Sequence, residues 1–111
     1  MAATDGGAKP KMPHRILIVN SPYYEKVSSE LEAGARDALE ELGEGCTIET
    51  IIVPGAFEVA GAIAMAADSA KYDGYVALGC VIRGETSQYD YVCGESARGL
   101  MDLSTARRLA I

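Results

Sequence analysis

The chain has 111 residues, of which 49% are hydrophobic, and its formal net charge is −6 at pH 7. A chain of this length forms one domain. Folding alone would bury only about two thirds of its extended-chain surface, and assembly with further copies would bury more. The acidic balance argues against nucleic acid as a partner, and no apolar run approaches the roughly 20 residues that span a bilayer. Since residues 1–13 also lack the apolar core of a signal peptide, a cytoplasmic location is the default expectation.

Residues 1–14 are predicted to form a flexible tail, because they combine glycines, prolines and charged residues with few apolar side chains. The last of them, His14, is the single histidine of the chain, and we interpret it as a surface residue beside a strand rather than as a catalytic group. The remaining residues, 15–111, are predicted to form one α/β domain.

The first half of this domain has the pattern of a strand, a helix and a second strand. The apolar run Ile16 to Val19 predicts a buried strand that ends at residues 20–22. Apolar positions then recur at helical spacing from Glu25 to Leu42, before a stop at Gly43. A second strand is predicted from Thr47 to Val53.

The second half repeats this alternation. A helix predicted from Phe57 to Ala70 is apolar nearly all round, so we expect cover on more than one side, part of it from another subunit. A third strand is predicted from Tyr75 to Ile82 and a third helix from Tyr89 to about Leu109. The apolar residues 109–111 are typical of the opening of another strand, so we expect the domain to be truncated at its C-terminus.

Three successive strand–helix units predict a parallel sheet with right-handed crossovers and helices on both faces. Ligands of such sheets bind beyond the carboxyl ends of the strands. In this chain the three ends are residues 20–24, 54–58 and 79–88. We expect these loops to converge on one pocket.

The first two loops each carry side chains with two possible roles. Tyr23 and Tyr24 either stack on a heteroaromatic ligand or pad a helix terminus. Glu58 either accepts hydrogen bonds from ligand hydroxyls or stabilises the dipole of the helix that it begins.

The third loop has the features of a small phosphate site. Gly84 lets the backbone approach a ligand closely, and Glu85 and Thr86 offer N–H groups and a hydroxyl ahead of a helix N-terminus. Arg83 either assists or forms a surface salt bridge. Because the glycine signatures of mononucleotide and dinucleotide sites are absent from the sequence, a phosphorylated small metabolite fits better than ATP or NAD.

Cysteine usage argues against a disulfide framework and against a zinc site. Cys46, Cys80 and Cys93 are odd in number and widely spaced, and no C-x-x-C pair is present. Cys80 sits at a strand end beside the candidate site, and no histidine lies near it in the sequence to activate its thiol. We therefore interpret Cys80 as a small packing residue rather than as a nucleophile.

Two other classes with parallel sheets of this size fit less well. A response-regulator receiver needs an acidic cluster after its first strand and an aspartate after its third, and residues 20–22 and 79–81 supply neither. A flavodoxin-like electron carrier needs a hydroxyl-rich phosphate loop after its first strand, and residues 20–22 do not form one.

Four ordered motifs follow one another along the domain: PGAFE at residues 54–58, KYD at 71–73, ALGCVIRGET at 77–86 and YDYVCGE at 89–95. With their matching intervals, these motifs closely resemble lumazine synthase, the penultimate enzyme of riboflavin biosynthesis. The resemblance runs from about Arg15 to Ser104. It implies a flavodoxin-like, three-layer α/β/α fold whose C-terminal strand and helices are missing here, and a homo-oligomer that is a pentamer or a larger assembly, up to an icosahedral shell.

The resemblance also implies a reaction and a set of site residues. Lumazine synthases condense 5-amino-6-ribitylaminouracil with 3,4-dihydroxy-2-butanone 4-phosphate, forming an imine, losing phosphate and closing a ring without cofactor or metal. The family's pattern assigns the pyrimidine to Tyr23, Cys80, Val81 and Ile82, the ribityl chain to Ala56, Phe57 and Glu58, and the phosphate to Glu85 and Thr86.

Gln88 occupies the position that matches the family's proton-relay histidine. A neutral amide forms hydrogen bonds but does not titrate near neutral pH. Losing a general acid or base typically costs about 10²- to 10⁴-fold in rate, whereas holding two reactants together supplies more than that, so the sequence predicts slow turnover. The alternative is a ligand-binding or scaffold member of the same family.

Overall fold

A computed structural model of the chain describes residues 14–42, 45–84 and 88–111. The predicted tail residues 1–13 and the predicted helix stop at Gly43 lie outside these ranges, and His14 belongs to the first strand rather than to a tail. The elements follow the predicted alternation: β1 (His14–Ser21), α1 (Glu25–Glu40), β2 (Cys46–Ile52), a 3₁₀ turn (Ala56–Glu58), α2 (Val59–Ala67), β3 (Gly74–Gly79) and α3 (Gln88–Ala106).

The three strands form one parallel sheet in the order β2-β1-β3. β1 suits the central position because its apolar run is buried, and Leu17 lies between Glu49 of β2 and Tyr75 of β3. After β2 at one edge the chain crosses to β3 at the other. The strand order therefore reverses beside β1, which is where open parallel sheets bind ligands.

Helices cover both faces of the sheet, so the predicted three-layer α/β/α arrangement is confirmed. On one face, Leu100 of α3 packs against a core of buried side chains from the sheet and α2, namely Leu17, Val19, Val53, Val59, Ile63 and Tyr75. Side chains alternate between the two faces along a strand, so Asn20 points away from this core. Its side-chain amide donates to Glu32 of α1 at 3.1 Å, which places α1 on the second face.

The predicted helix over residues 57–70 is shorter in the structure, because the 3₁₀ turn precedes α2 and the helix ends at Ala67. The N–H of Ala70 donates to the carbonyl of Ala67 at 3.1 Å, three residues back rather than four, and Ala70 has a φ of 55°. A left-handed residue cannot continue a right-handed helix. α1 likewise ends at Glu40 and α3 at Ala106, two and three residues before the predicted ends.

The predicted third strand, residues 75–82, is also too long, because β3 ends at Gly79. Gly79 pairs with Ser21, the last residue of β1, so β3 has no strand beside it beyond that point in the described sheet. A strand without a neighbour loses the backbone hydrogen bonds that define it. Cys80, Val81 and Ile82, predicted at a strand end, therefore lie in the loop after β3.

Residues 109–111, predicted to open another strand, do not form one in the structure. Leu109 packs against the core, and the carbonyl of Ala110 accepts a hydrogen bond from the N–H of Tyr75 at 2.8 Å. The segment therefore lies beside β3 without building a ladder with it.

Candidate active site

A pocket of about 500 Å³ lies at the carboxyl ends of the strands. The structure brings the three predicted loops together there, and every described residue that the resemblance assigned to the site lines it. Glu85 and Thr86 lie outside the described residues, so their place in a phosphate site stays a prediction. The lining residues are Tyr23, Tyr24, Pro54, Gly55, Ala56, Phe57, Glu58, Cys80, Val81, Ile82, Gly84, Gln88, Tyr89 and Val92.

The loop after β1 presents an exposed aromatic ring to the pocket. Tyr23 is 74% exposed, and its ring meets the ring of Tyr24 edge to face, with centroids 4.9 Å apart at 85°. The carbonyl of Tyr24 accepts a hydrogen bond from the N–H of Ser28 at 2.9 Å and so begins α1. The backbone of Tyr24 thus begins α1, whereas the largely exposed ring of Tyr23 is accessible to a flat ligand.

The loop after β2 reaches the pocket because one more backbone hydrogen bond extends the sheet. The N–H of Val53 donates to the carbonyl of Asn20 at 2.9 Å, and Pro54 then directs the chain away from the strand. The N–H of Glu58 donates to the carbonyl of Gly55 at 3.0 Å, which closes the 3₁₀ turn. A Cβ on Gly55 would lie 3.3 Å from Oε1 of Glu58, so the carboxylate rests against the glycine at the pocket wall.

The loop after β3 depends on a close approach between two strand ends. A Cβ on Gly79 would lie 2.8 Å from the hydroxyl oxygen of Ser21, and this hydroxyl donates to the carbonyl of Leu78 at 3.3 Å. Glycine at this position lets the ends of β1 and β3 approach each other closely. The half-buried Cys80, a free thiol, follows directly on the pocket wall.

Gln88 is the first residue of α3 and lines the pocket beside Gly84. The first N–H groups of a helix have no partner within it, and the helix dipole is positive there, so this end of α3 favours an anion. Tyr89 and Val92 also line the pocket, and neither was predicted from the sequence to have a role there. Val92 follows Gln88 by four residues, one helical turn, and this spacing is the signal that would have identified it.

Behind the pocket, a polar network holds the end of β1 against α1. Glu32 accepts hydrogen bonds from the side-chain amide of Asn20 at 3.1 Å and from Nε of Arg36 at 3.0 Å, and Arg36 also donates to Thr50 at 2.6 Å. The bond from Asn20, followed by that from Arg36, lowers the pKa of Glu32. Because Asn20 is only 3% exposed, this network fixes the strand end that leads to Tyr23.

The geometry defines an α/β protein with a ligand pocket at the switch point of its parallel sheet. The pocket combines exposed aromatic rings, a carboxylate and a helix N-terminus. A family model described as 6,7-dimethyl-8-ribityllumazine synthase matches residues 13–111. The chain belongs to this family.

Curated relatives agree with this assignment. The chain is similar to 6,7-dimethyl-8-ribityllumazine synthase of Methylobacterium radiotolerans, with 50% identity over 111 residues that cover 96% of this chain and 66% of the relative. The protein of the same name in Methylorubrum extorquens strain PA1 is 51% identical over 87% of this chain and 58% of its own length. The protein of the same name in Erythrobacter litoralis is 53% identical over 81% of this chain and 63% of its own length. The chain thus spans about three fifths to two thirds of the length of these relatives.

Two kinds of feature are absent from the described residues. Residues 14–42, 45–84 and 88–111 contain no group of three or more His, Cys, Asp or Glu side chains placed to hold a metal ion. Within the same ranges, no helix has the length and apolar character needed to cross a membrane.

Proposed function

We propose that this chain acts in riboflavin biosynthesis as a 6,7-dimethyl-8-ribityllumazine synthase, a transferase. It condenses 5-amino-6-ribitylaminouracil with 3,4-dihydroxy-2-butanone 4-phosphate and releases phosphate and water, with no cofactor or metal. The observation that carries the proposal is the convergence of the family's motif residues, from three separate loops, on one pocket of about 500 Å³. A pocket of this volume is within the range that small-molecule sites typically have, about 300–1,000 Å³.

Each wall of the pocket matches one part of the two substrates. The open ring of Tyr23 offers a stacking surface to the pyrimidine, and the loop from Cys80 to Ile82 lies on the same pocket. The ribityl hydroxyls donate to the carboxylate of Glu58, which lies at the pocket wall. The phosphate binds near the start of α3, next to Gly84.

The chemistry that the site must support is imine formation, loss of phosphate and ring closure. Holding an amine next to a carbonyl supplies much of the rate, since effective molarities of well-oriented reactants reach about 10⁵–10⁸ M. Gln88 orients groups through its amide but does not exchange protons near neutral pH. Turnover is therefore slow compared with an enzyme that has a titratable group at this position.

The active form is a homo-oligomer, a pentamer or a larger assembly, with each site at a subunit interface. Phe57 of the 3₁₀ turn and Met65 of α2 are 56% and 73% exposed, and Gly61 between them in the sequence is exposed as well. In the assembly, a second copy covers this exposed apolar stripe. Phe57 also lines the pocket, so an interface along this stripe reaches the site.

Lumazine fluorescence tests the proposal. The purified protein is mixed with both substrates, and the increase in product fluorescence is compared with the same mixture without protein. We expect a rate above the uncatalysed reaction that is proportional to protein concentration. A rate equal to the uncatalysed one would contradict the proposed activity.

Gln88 favours a second candidate function, that of a ligand-binding or scaffold member of the family with weakened catalysis. Gln88 lines the pocket, yet its amide cannot act as a general acid or base near neutral pH. In this case the protein binds the aminouracil but produces lumazine no faster than the uncatalysed reaction. The two candidates therefore differ in the rate, whereas both predict binding.

A further inference from the structure

Arg83 stands beside the pocket in a position that the proposed roles do not use. It directly precedes Gly84, which lines the pocket. Its guanidinium carbon lies 4.4 Å from the centre of the Tyr89 ring, and its Nη2 lies 3.5 Å from Oδ1 of Asp90. Because Tyr89 itself lines the pocket, the cation rests on a side chain that forms the pocket wall.

The described part of the pocket wall otherwise lacks a positive charge. Of the lining residues within the described ranges, Glu58 carries a carboxylate and none is Lys or Arg. The chain as a whole carries a net charge of −6. The N-terminus of α3 favours an anion, and a cation beside this wall would strengthen the attraction for a phosphate group.

The contacts hold Arg83 in place without neutralising it strongly. A charge-assisted hydrogen bond is typically about 2.7–2.9 Å long, whereas the contact with Asp90 measures 3.5 Å between two side chains that are 67% and 65% exposed. The face of an aromatic ring attracts a cation but carries no net charge. Arg83 is thus retained by Tyr89 while its N–H groups can exchange the Asp90 carboxylate for another anion.

We infer that Arg83 is a specificity-determining residue that attracts the phosphorylated substrate and selects it over an unphosphorylated analogue. This inference rests on the proposed function and adds a residue to it. When the substrate binds, the guanidinium turns from Asp90 to the phosphate oxygens and stays against the Tyr89 ring. Arg83 forms no covalent bond and transfers no proton.

The test is the variant Arg83→Gln, in which KM is measured separately for each substrate. We expect KM for the butanone phosphate to rise about tenfold, which corresponds to the loss of one hydrogen bond to a charged group. KM for the aminouracil and kcat at saturation should change less than about twofold, which distinguishes phosphate recognition from a general disturbance of the pocket wall. Arg83→Lys keeps the charge and should recover part of the loss.

Two further variants provide controls. Arg98→Gln removes the same charge from α3, where Arg98 bridges Glu95 and Asp102 and does not line the pocket, and it should leave both KM values unchanged. Asp90→Asn removes the competing carboxylate, so KM for the butanone phosphate should fall. An equal effect of Arg98→Gln, a joint rise of both KM values in Arg83→Gln, or a rise in Asp90→Asn would overturn the inference.

Binding of the butanone phosphate, measured by calorimetry, separates the inference from the proposed activity. If the wild-type protein forms no product but binds this compound about tenfold more tightly than Arg83→Gln does, the proposed activity fails and the role of Arg83 stands. If both proteins bind it equally, or if neither binds it, the role of Arg83 is wrong whatever the turnover.

Discussion

The two ends of the sheet differ in how their side chains are paired. At the amino end, Arg15 donates from Nη2 to Oε2 of Glu49 and the hydroxyl of Tyr72 donates to Oε1 of the same carboxylate, both at 2.7 Å. The backbone N–H of Arg15 donates to Asp73 at 2.7 Å. At the carboxyl end, by contrast, the large apolar side chains of the loops remain exposed: Tyr23 at 74%, Phe57 at 56% and Ile82 at 55%.

The difference separates the region that holds the sheet together from the region that binds. The amino-end network connects β1, β2 and the segment before β3, and it satisfies both oxygens of one carboxylate. The carboxyl end leaves rings and backbone groups accessible in loops that a rigid sheet positions, the usual arrangement of a binding site. Substitutions in the amino-end network should therefore change stability alone, and substitutions of side chains that line the pocket should change rate or binding.

The largest effect is expected for Gln88→His at the carboxyl end. A titratable imidazole at the start of α3 restores a general acid or base, so the initial rate of lumazine formation should rise by about 10²- to 10⁴-fold. Gln88→Asn, which retains an amide, is the matched control and should show no gain. A rate for Gln88→His within about twofold of the wild type would remove the missing proton relay as the reason for slow turnover.

A smaller effect, on stability, is expected for Gly79→Ala. The new Cβ would lie 2.8 Å from the hydroxyl oxygen of Ser21, so the free energy of unfolding should fall by about 1–3 kcal/mol, the usual cost of overpacking. Urea unfolding at fixed protein concentration measures the change.

Two controls identify the cause of this cost. In a Ser21→Ala background the clashing hydroxyl is absent, so Gly79→Ala should cost less there. Gly94→Ala on α3 meets nothing within 4 Å and should be neutral or slightly stabilising. An equal cost of Gly79→Ala in both backgrounds would show that the approach of β1 to β3 does not require this glycine.

At the amino end, Tyr72→Phe removes the hydroxyl that donates to Glu49 and keeps the ring, which packs edge to face against Tyr75. The loss should be about 1 kcal/mol, typical of one hydrogen bond, and the melting temperature should fall by about 4–8 °C. Both KM values should stay unchanged. A raised KM with an unchanged melting temperature would reverse the division between the two ends.

The smallest effect is a pH dependence of stability at the amino end. The hydrogen bond from Tyr72, followed by that from Arg15, lowers the pKa of Glu49 below its ordinary value of 4.5. A carboxyl group with a lowered pKa in the folded state stabilises the fold above its ordinary pKa, and this contribution is lost as the pH falls through both values. The melting temperature should therefore fall more steeply between about pH 6 and pH 3 in the wild type than in Tyr72→Phe. Parallel curves would contradict this.

Much of the fold could be predicted because it depends on local patterns. The apolar run of β1 and the helical spacing of α1 identify their elements directly, and the order of elements then predicts the parallel sheet. The end of β3 could not be predicted in this way. Residues 80–82 are as apolar as a strand, but β1 ends opposite Gly79, and the register between two strands is not visible in either one.

The site could be predicted as far as it follows from strand ends, and the rest depends on contacts between distant residues. The convergence of Tyr23 with the later loops follows from the rule that parallel strands end at one edge. The amino-end network joins Arg15 and Glu49, 34 residues apart, with Tyr72, and no periodic pattern links such positions. The contact between Arg83 and Tyr89 likewise joins two residues that no periodic pattern of the sequence links.

Hydrogen–deuterium exchange, with and without saturating 5-amino-6-ribitylaminouracil, tests most directly whether the carboxyl end binds substrate while the amino end maintains the sheet. We predict that the ligand protects backbone amides at residues 23–24, 55–58 and 80–84, which contain the pocket wall. Exchange at residues 14–17, 47–50 and 71–75 should stay the same. Protection confined to those amino-end segments, or no protection anywhere, would contradict the division.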